Sequence, residues 1–226
     1  MRKKRLWTTL IGKIPKDWFS KQYLDRAFVW SIKNKQREKM SSEITRIRWH
    51  GRGGQGAITA AKIVAKAAFD SGYEGIVMVP SFGTERRGAP VSTSLKISKT
   101  KINDLSPTEN PDIVVVLDHL ILDEVDVTAG LKEGGLLVLN SPRKLEDYQF
   151  KNIKLAIADV TGLSSEVGLK KGIVNSGIIG VLAKAVDLVK MSVLAKGIEA
   201  EFVGKKPEEN AKSALLAYER TEMGEM

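Results

Sequence analysis

Ile44-Thr45-Arg46-Ile47-Arg48-Trp49-His50-Gly51-Arg52-Gly53-Gly54-Gln55-Gly56-Ala57 changes its periodicity at its glycines. Ile44 to His50 predicts a strand, with Ile44, Ile47 and Trp49 apolar among Arg46 and Arg48. From Ala57 to Asp70 the apolar residues Ile58, Ala61, Ala65, Ala68 and Phe69 return at three- and four-residue steps, the period of a helix. Ser71-Gly72 closes that helix, as glycine does just past a helix end. A strand, a glycine-rich turn and a helix in this order open a βαβ unit.

Working outward, the same rhythm continues. Ile76 to Val79 reads as a second strand, and the loop Pro80 to Pro90 is rich in glycine and charge. Val91 to Ile97 alternates polar and apolar residues and predicts a half-exposed strand. Asp112 to Leu117 is continuous and β-branched, as a strand buried on both faces requires. A short helix over Leu120 to Thr128, a turn at Gly134-Gly135, a strand Leu136 to Asn140 and a further strand Lys154 to Ala158 follow. Three helices end the chain, over Ser176–Val189, Ser192–Glu201 and Pro207–Tyr218. The expected fold is α/β and Rossmann-like, with a mostly parallel sheet and helices on both faces.

The 226 residues suit one α/β core with an appendage, and no apolar run approaches the length of a membrane-spanning helix. The net charge of +9 resides wholly in residues 1–40, where twelve Lys and Arg face three Asp and Glu; beyond them the charges balance. The high pI therefore gives no reason to expect a nucleic-acid-binding core. With no cysteine, the sequence offers no disulfide, no thiol nucleophile and no thiolate ligand for an iron–sulfur cluster. His50 and His119 stand too far apart in the predicted order to suggest a metal site, and none is expected.

Residues 1–40 form a segment apart, expected as a basic N-terminal extension to a domain over residues 41–226. Between Trp18 and Ile32, the sets Phe19, Tyr23, Ala27 and Leu24, Phe28, Ile32 repeat every fourth residue, predicting a basic amphipathic helix. It could dock on a partner subunit, lie on an anionic membrane surface, or be an upstream extension that the mature protein lacks.

The spacing Gly51-x-Gly53-x-x-Gly56 has the form of a dinucleotide-binding fingerprint, in which glycines allow a tight turn and the helix N-terminus offers free N–H groups to an anion. Nicotinamide binding also calls for a carboxylate at the end of the second strand. Val77-Met78-Val79-Pro80-Ser81-Phe82 supplies none, which disfavours the alternative of a stand-alone dinucleotide-dependent oxidoreductase. The glycines, with Gln55, then either contact phosphate or only let strand and helix pack closely. In Phe82-Gly83-Thr84-Glu85-Arg86-Arg87-Gly88-Ala89-Pro90, Arg86 and Arg87 could present a guanidinium to a phosphate or carboxylate, and the loop is expected beside the glycine turn. Asn175-Ser176 precedes a helix and reads as a capping pair. Asp118 and His119 follow a buried strand, but no nucleophile, paired carboxylate or metal cluster accompanies them, and no catalytic residue is expected.

In this order, the segments Ile47 to Ala57, Phe82 to Pro90, Pro111 to Asp118, Asp126 to Gly135, Asn175 to Gly180 and Asn210-Ala211 resemble the gamma subunits of pyruvate and ketoisovalerate ferredoxin oxidoreductases. The likeness covers about residues 44–220, and the Glu-Arg-Arg-Gly-Ala-Pro loop is its most specific part. The resemblance implies a cytoplasmic complex that oxidises a 2-oxoacid and passes electrons to ferredoxin, forming acyl-coenzyme A and CO2. It implies alpha, beta and delta partner subunits that carry thiamine diphosphate, Mg2+ and the iron–sulfur clusters, and a gamma chain that is inactive alone. Gly51, Gly53, Gly54, Gln55, Gly56, Arg86 and Arg87 would then contact coenzyme A or brace a subunit interface.

Overall fold

The computed structural model describes residues 44–81 and 87–226, so the predicted helix between Trp18 and Ile32 lies outside the described residues. The described unit begins at Ile44. Its seven strands are β1 (Thr45–Arg52), β2 (Gly75–Ser81), β3 (Pro90–Ser98), β4 (Ile113–Val116), β5 (Leu136–Asn140), β6 (Lys154–Ala158) and β7 (Glu222–Glu225). They form one sheet in the order β2-β3-β1-β4-β5-β6-β7. The core pairings β1·β4, β4·β5 and β5·β6 are parallel. β3 runs antiparallel to both β1 and β2, and β7 antiparallel to β6, so five of the seven strands share one direction.

The expected α/β fold is therefore present, but not the Rossmann strand order. In a dinucleotide fold the second strand pairs directly with the first. Here β3 is inserted between them, which moves the end of β2 about 10 Å from β1, two strand spacings.

The α helices are α1 (Ala57–Asp70), α2 (Val160–Glu166), α3 (Gly177–Ala185), α4 (Met191–Glu201) and α5 (Pro207–Glu219). Side chains alternate along each strand, and this divides the core in two. Ile47, Trp49, Leu95, Ile97, Val115, Leu117 and Val138 face the α helices. Val114, Val116, Leu137, Leu139, Leu155 and Ile157 face the opposite layer, built from two 3₁₀ turns, η1 (His119–Asp123) and η2 (Leu145–Asp147), and their flanking loops. Both faces are covered, but the long helices share one. Val114, Val115 and Val116 have no exposure at all, and each contributes about 1.5–3 kcal/mol by burial.

Several local expectations change. The helix predicted over Leu120–Thr128 shortens to the single turn of η1, ahead of an Asp126 turn that takes the Thr128 N–H on its side chain at 3.0 Å. β3 is not half-exposed: Ser94, Lys96 and Ser98 are buried. Their face is covered by the segment after β3, where Ser94 Oγ accepts the Thr108 N–H at 2.9 Å and Lys96 Nζ donates to Asp104 Oδ2 at 2.6 Å. β7, which carries no strand signal in its sequence, is held as an edge strand by β6.

Candidate functional site

β1 and β4 are parallel neighbours from which the chain departs in opposite directions, β1 through α1 toward the β2 edge and β4 through η1 toward β5. Such a switch point leaves a crevice beyond the carboxyl ends of the two strands, where open α/β sheets bind ligands. Two short segments meet there: the glycine turn after β1 and the start of η1 after β4.

The turn is built by its glycines. Gly54 (φ 94°) and Gly56 (φ 81°) both take the left-handed conformation, which L side chains rarely adopt. Gly56 is the N-cap residue of α1, and a Cβ there would lie 2.5 Å from Asn175 Nδ2. At Gly51 a Cβ would stand 3.2 Å from Ala57 Cβ, so this glycine lets strand and helix approach closely. The Gly53 N–H is already used, donating to the Ala89 carbonyl at 2.9 Å, while the Gly88 N–H donates to Gly53 O at 3.2 Å. The carboxyl end of the charged loop is thus fastened to the glycine turn, as its place in the chain predicts. Arg87 is exposed on the adjoining turn, and Arg86 lies outside the described residues.

A polar network locks the turn to η1. Arg52 Nε and Gln55 Nε2 each donate to Asp118 Oδ2 at 3.0 Å, and the Leu120 N–H donates to Asp118 Oδ1 at 3.0 Å. The Arg52 guanidinium also donates to Glu124 Oε1 at 2.6 Å and to the Gly88 carbonyl at 3.1 Å. Gln55 closes the turn on itself, its Oε1 accepting the Arg52 N–H at 2.8 Å. Burial pushes the Asp118 carboxyl up, but the bonds from Leu120, Gln55 and Arg52 together outweigh it and hold the pKa below the ordinary value. The hydrogen bond to Glu124 raises the Arg52 pKa against desolvation, with Asp118 adding to it. Asp118 is therefore an ionised anchor with its oxygens engaged, not a free base.

Behind the crevice, Arg48 Nε donates to His50 Nε2 at 3.1 Å, which fixes the imidazole as a neutral acceptor. The same guanidinium donates to the carbonyls of Val127 (2.9 Å) and Ala129 (2.5 Å) and ties their loop to the sheet. Desolvation, then the Arg48 charge, lowers the His50 pKa to about 4.

Asn175-Ser176 is not a capping pair. Neither side chain caps α3: Ser176 has helical backbone angles, and its Oγ donates instead to Asn210 Oδ1 at 2.9 Å. Among the described residues, Asn175 Oδ1 accepts only the neighbouring Ser176 N–H, at 3.1 Å. The short reach of two buried polar side chains toward each other outweighs local capping here.

The structure thus brings Gly51, Gly53, Gly54, Gln55 and Gly56 together beside Gly88, with Arg87 nearby. Of their partners, Asp118 stands out in the sequence by its place directly after a buried strand and Arg52 by lying inside the glycine motif, whereas Glu124 carries no sequence signal. His119 only begins η1. An open cleft of about 440 Å³ between Arg46, Lys96, Thr108 and Lys132 lies at the other end of the sheet, but Lys96 is paired with Asp104 and Lys132 with Asp112. Among the described residues there is no group of three His, Asp or Glu placed to hold a metal ion, and no helix long and apolar enough to cross a membrane. Chemically, the crevice offers backbone amides and fixed dipoles rather than a nucleophile with its base.

Comparison with known proteins agrees with this layout. The family model for pyruvate ferredoxin/flavodoxin oxidoreductase matches residues 46–220. The common gamma subunit of the pyruvate/ketoisovalerate oxidoreductases of Pyrococcus furiosus is 45% identical over 184 residues, 80% of this chain and 98% of that protein. Pyruvate synthase subunit PorC of Methanothermobacter thermautotrophicus is 46% identical over 176 residues, 78% of this chain and 95% of that protein. Among solved structures, the pyruvate oxidoreductase subunit PORC of Thermotoga maritima superposes with a TM-score of 0.70 at 31% identity, covering 81% of this chain and 100% of that one.

Proposed function

Because the chain belongs to the pyruvate ferredoxin/flavodoxin oxidoreductase family, as a gamma-type subunit, we propose that it serves a complex acting on pyruvate or a branched-chain 2-oxoacid and is inactive by itself. The complex converts 2-oxoacid, coenzyme A and oxidised ferredoxin to acyl-coenzyme A, CO2 and reduced ferredoxin in the cytoplasm. Alpha, beta and delta components hold the thiamine diphosphate, Mg2+ and iron–sulfur clusters. The observation that carries this reading is the likeness running through 98% of a gamma subunit, at an identity of 45%. A sequence without cysteine is consistent with that division of labour, since no thiolate is available to hold a cluster. The alternative of a stand-alone dinucleotide enzyme loses support from the sheet order, which separates β2 from the glycine turn.

Within the complex, the turn Gly51 to Gly56 and Arg86/Arg87 line the coenzyme A path or brace the interface with the partner subunits. Backbone amides at a helix N-terminus and guanidinium groups both suit a diphosphate. Residues 1–40 are an extension outside the gamma domain of residues 41–226, a division supported by the family match beginning at residue 46. The test is the double variant Arg86→Ala/Arg87→Ala in the assembled complex. It is expected to raise the KM for coenzyme A several-fold or to weaken assembly; if both stay unchanged, the loop has neither role.

A further inference from the structure

Arg46 on β1 and Lys96 on β3 stand directly opposite one another across an antiparallel pair, so both side chains leave the same face of the sheet. Like charges so placed repel, and each calls for an anion beside it. Lys96 has one: its Nζ donates to Asp104 Oδ2 at 2.6 Å, while Asp104 Oδ1 accepts the Ser106 N–H and hydroxyl at 2.9 and 2.6 Å. Arg46 has none. Among the described residues its guanidinium donates only to the Ile44 carbonyl, at 3.2 Å. Asp112 is engaged elsewhere, through Oδ1 by Lys132 Nζ and through Oδ2 by the Arg46 backbone N–H at 2.7 Å. Arg46, Lys96 and Lys132 all line the cleft of about 440 Å³ at the amino ends of the parallel strands, and the lining carboxylates Asp104 and Glu109 leave it one net positive charge. A second, independent observation falls on the same cleft. Thr108, part of its wall, is 6% exposed, and its hydroxyl is buried without a hydrogen-bond partner among the described residues. Buried polar groups almost always find a partner.

We propose that this cleft binds the carboxylate of a small organic acid, with Arg46 as its principal partner and Thr108 as a hydroxyl donor that turns toward it on binding. A guanidinium offers two parallel N–H groups to the two oxygens of a carboxylate. One net positive charge is balanced by a monoanion. The volume lies within the range of small-molecule pockets, about 300–1,000 Å³. Lys96 and Lys132 keep the local field positive while holding their own carboxylates, and the exposed Asn110 adds a side-chain amide to the lining. The cleft lies at the opposite end of the sheet from the glycine turn, so this site depends neither on the coenzyme A contact nor on the subunit reading. An acid that binds only the folded chain also stabilises it.

The full chain is titrated with pyruvate as the probe monocarboxylate at low ionic strength, with site and affinity both read from amide NMR shifts. Pyruvate is expected to shift the amides of Arg46, Thr108 and Asn110 and to raise the thermal unfolding midpoint. Arg46→Gln removes the charge and the paired donors, and should weaken binding by roughly tenfold. Thr108→Val keeps the shape of the side chain and should weaken binding several-fold, which charge attraction alone would not produce. Glu109→Gln, at an exposed position, removes a lining carboxylate and should tighten binding; it carries the charge test if Arg46→Gln fails to fold. Shifts confined to other parts of the chain, or an affinity unchanged in any of these folded variants, would overturn the proposal. Inorganic phosphate is the second probe. Weaker binding than pyruvate at the same resonances supports a carboxylate site, whereas equal or tighter binding contradicts that ligand class.

Discussion

Asp118 Oδ2 lies 3.0 Å from Arg52 Nε, joining the ends of two parallel strands across 66 residues of sequence. Asp118 is only 16% exposed at its side chain and Arg52 20%, so the pair is shielded enough to contribute to stability. Asp118→Asn, which removes the charge, is expected to cost about 1–3 kcal/mol in urea unfolding. Combined with Arg52→Ala, the losses should fall short of additive by about 1 kcal/mol, because the two changes remove one shared interaction. The Asp118 pKa is lowered from 3.8, so its contribution is complete above that value and is lost as pH falls through the lower folded-state value.

His50 predicts a second, higher window of acid sensitivity. Its folded-state pKa of about 4 lies below the ordinary 6.5. Above 6.5 the imidazole is neutral in both states and its contribution is whole. Between 6.5 and about 4 only the unfolded chain takes up the proton, so stability falls as pH is lowered, by a total on the order of 3 kcal/mol. His50→Gln should flatten this part of the curve, measured as unfolding free energy at pH 7.5 and 4.5; a slope equal to that of the parent chain would count against the assignment.

The glycine turn can be tested by comparing two positions with similar backbone. Gly54 and Gly56 both have positive φ, but a Cβ at Gly54 meets nothing within 4 Å, while one at Gly56 runs into Asn175. Gly54→Ala should cost only the conformational term, about 1–2 kcal/mol, and Gly56→Ala clearly more. Thermal unfolding of the two variants decides it, and equal losses would argue against the close approach of Asn175.

Lys96 is buried at 3% side-chain exposure and relies on Asp104. Asp104→Ala strands a buried ammonium and should lower the unfolding midpoint, while adding Lys96→Met should restore it in whole or part. A double variant no more stable than Asp104→Ala alone would contradict this account of the β3 face.

Much of the fold is legible because its signals are local. The change of period at Gly51 to Gly56 locates β1 and α1, and the runs Ile113 to Leu117 and Leu136 to Leu139 are strands buried on both faces. What escapes the sequence depends on distant neighbours. The polar side of β3 looks exposed until residues 99–111 are seen to cover it, and Glu222–Glu225 becomes a strand only because β6 has a free edge. The place of β3 between β1 and β2, which removes the dinucleotide geometry, has no signature in the order of elements. The site divides the same way. Its glycines announce themselves, but the bonds of Arg52 to Asp118 and the approach of Asn175 to Gly56 link residues far apart in the chain.

The central claim is that this chain shapes an oxidoreductase complex without carrying its electrons. Purifying the tagged chain from its native host, with mass spectrometry and a visible spectrum of what accompanies it, tests this most directly. The account predicts partner subunits in fixed ratio, iron–sulfur absorbance and coenzyme A-dependent 2-oxoacid oxidation in that preparation, and a colourless, inactive chain when it is produced alone. A solitary monomer in the native extract, or a lone chain that oxidises pyruvate with ferredoxin, would contradict it.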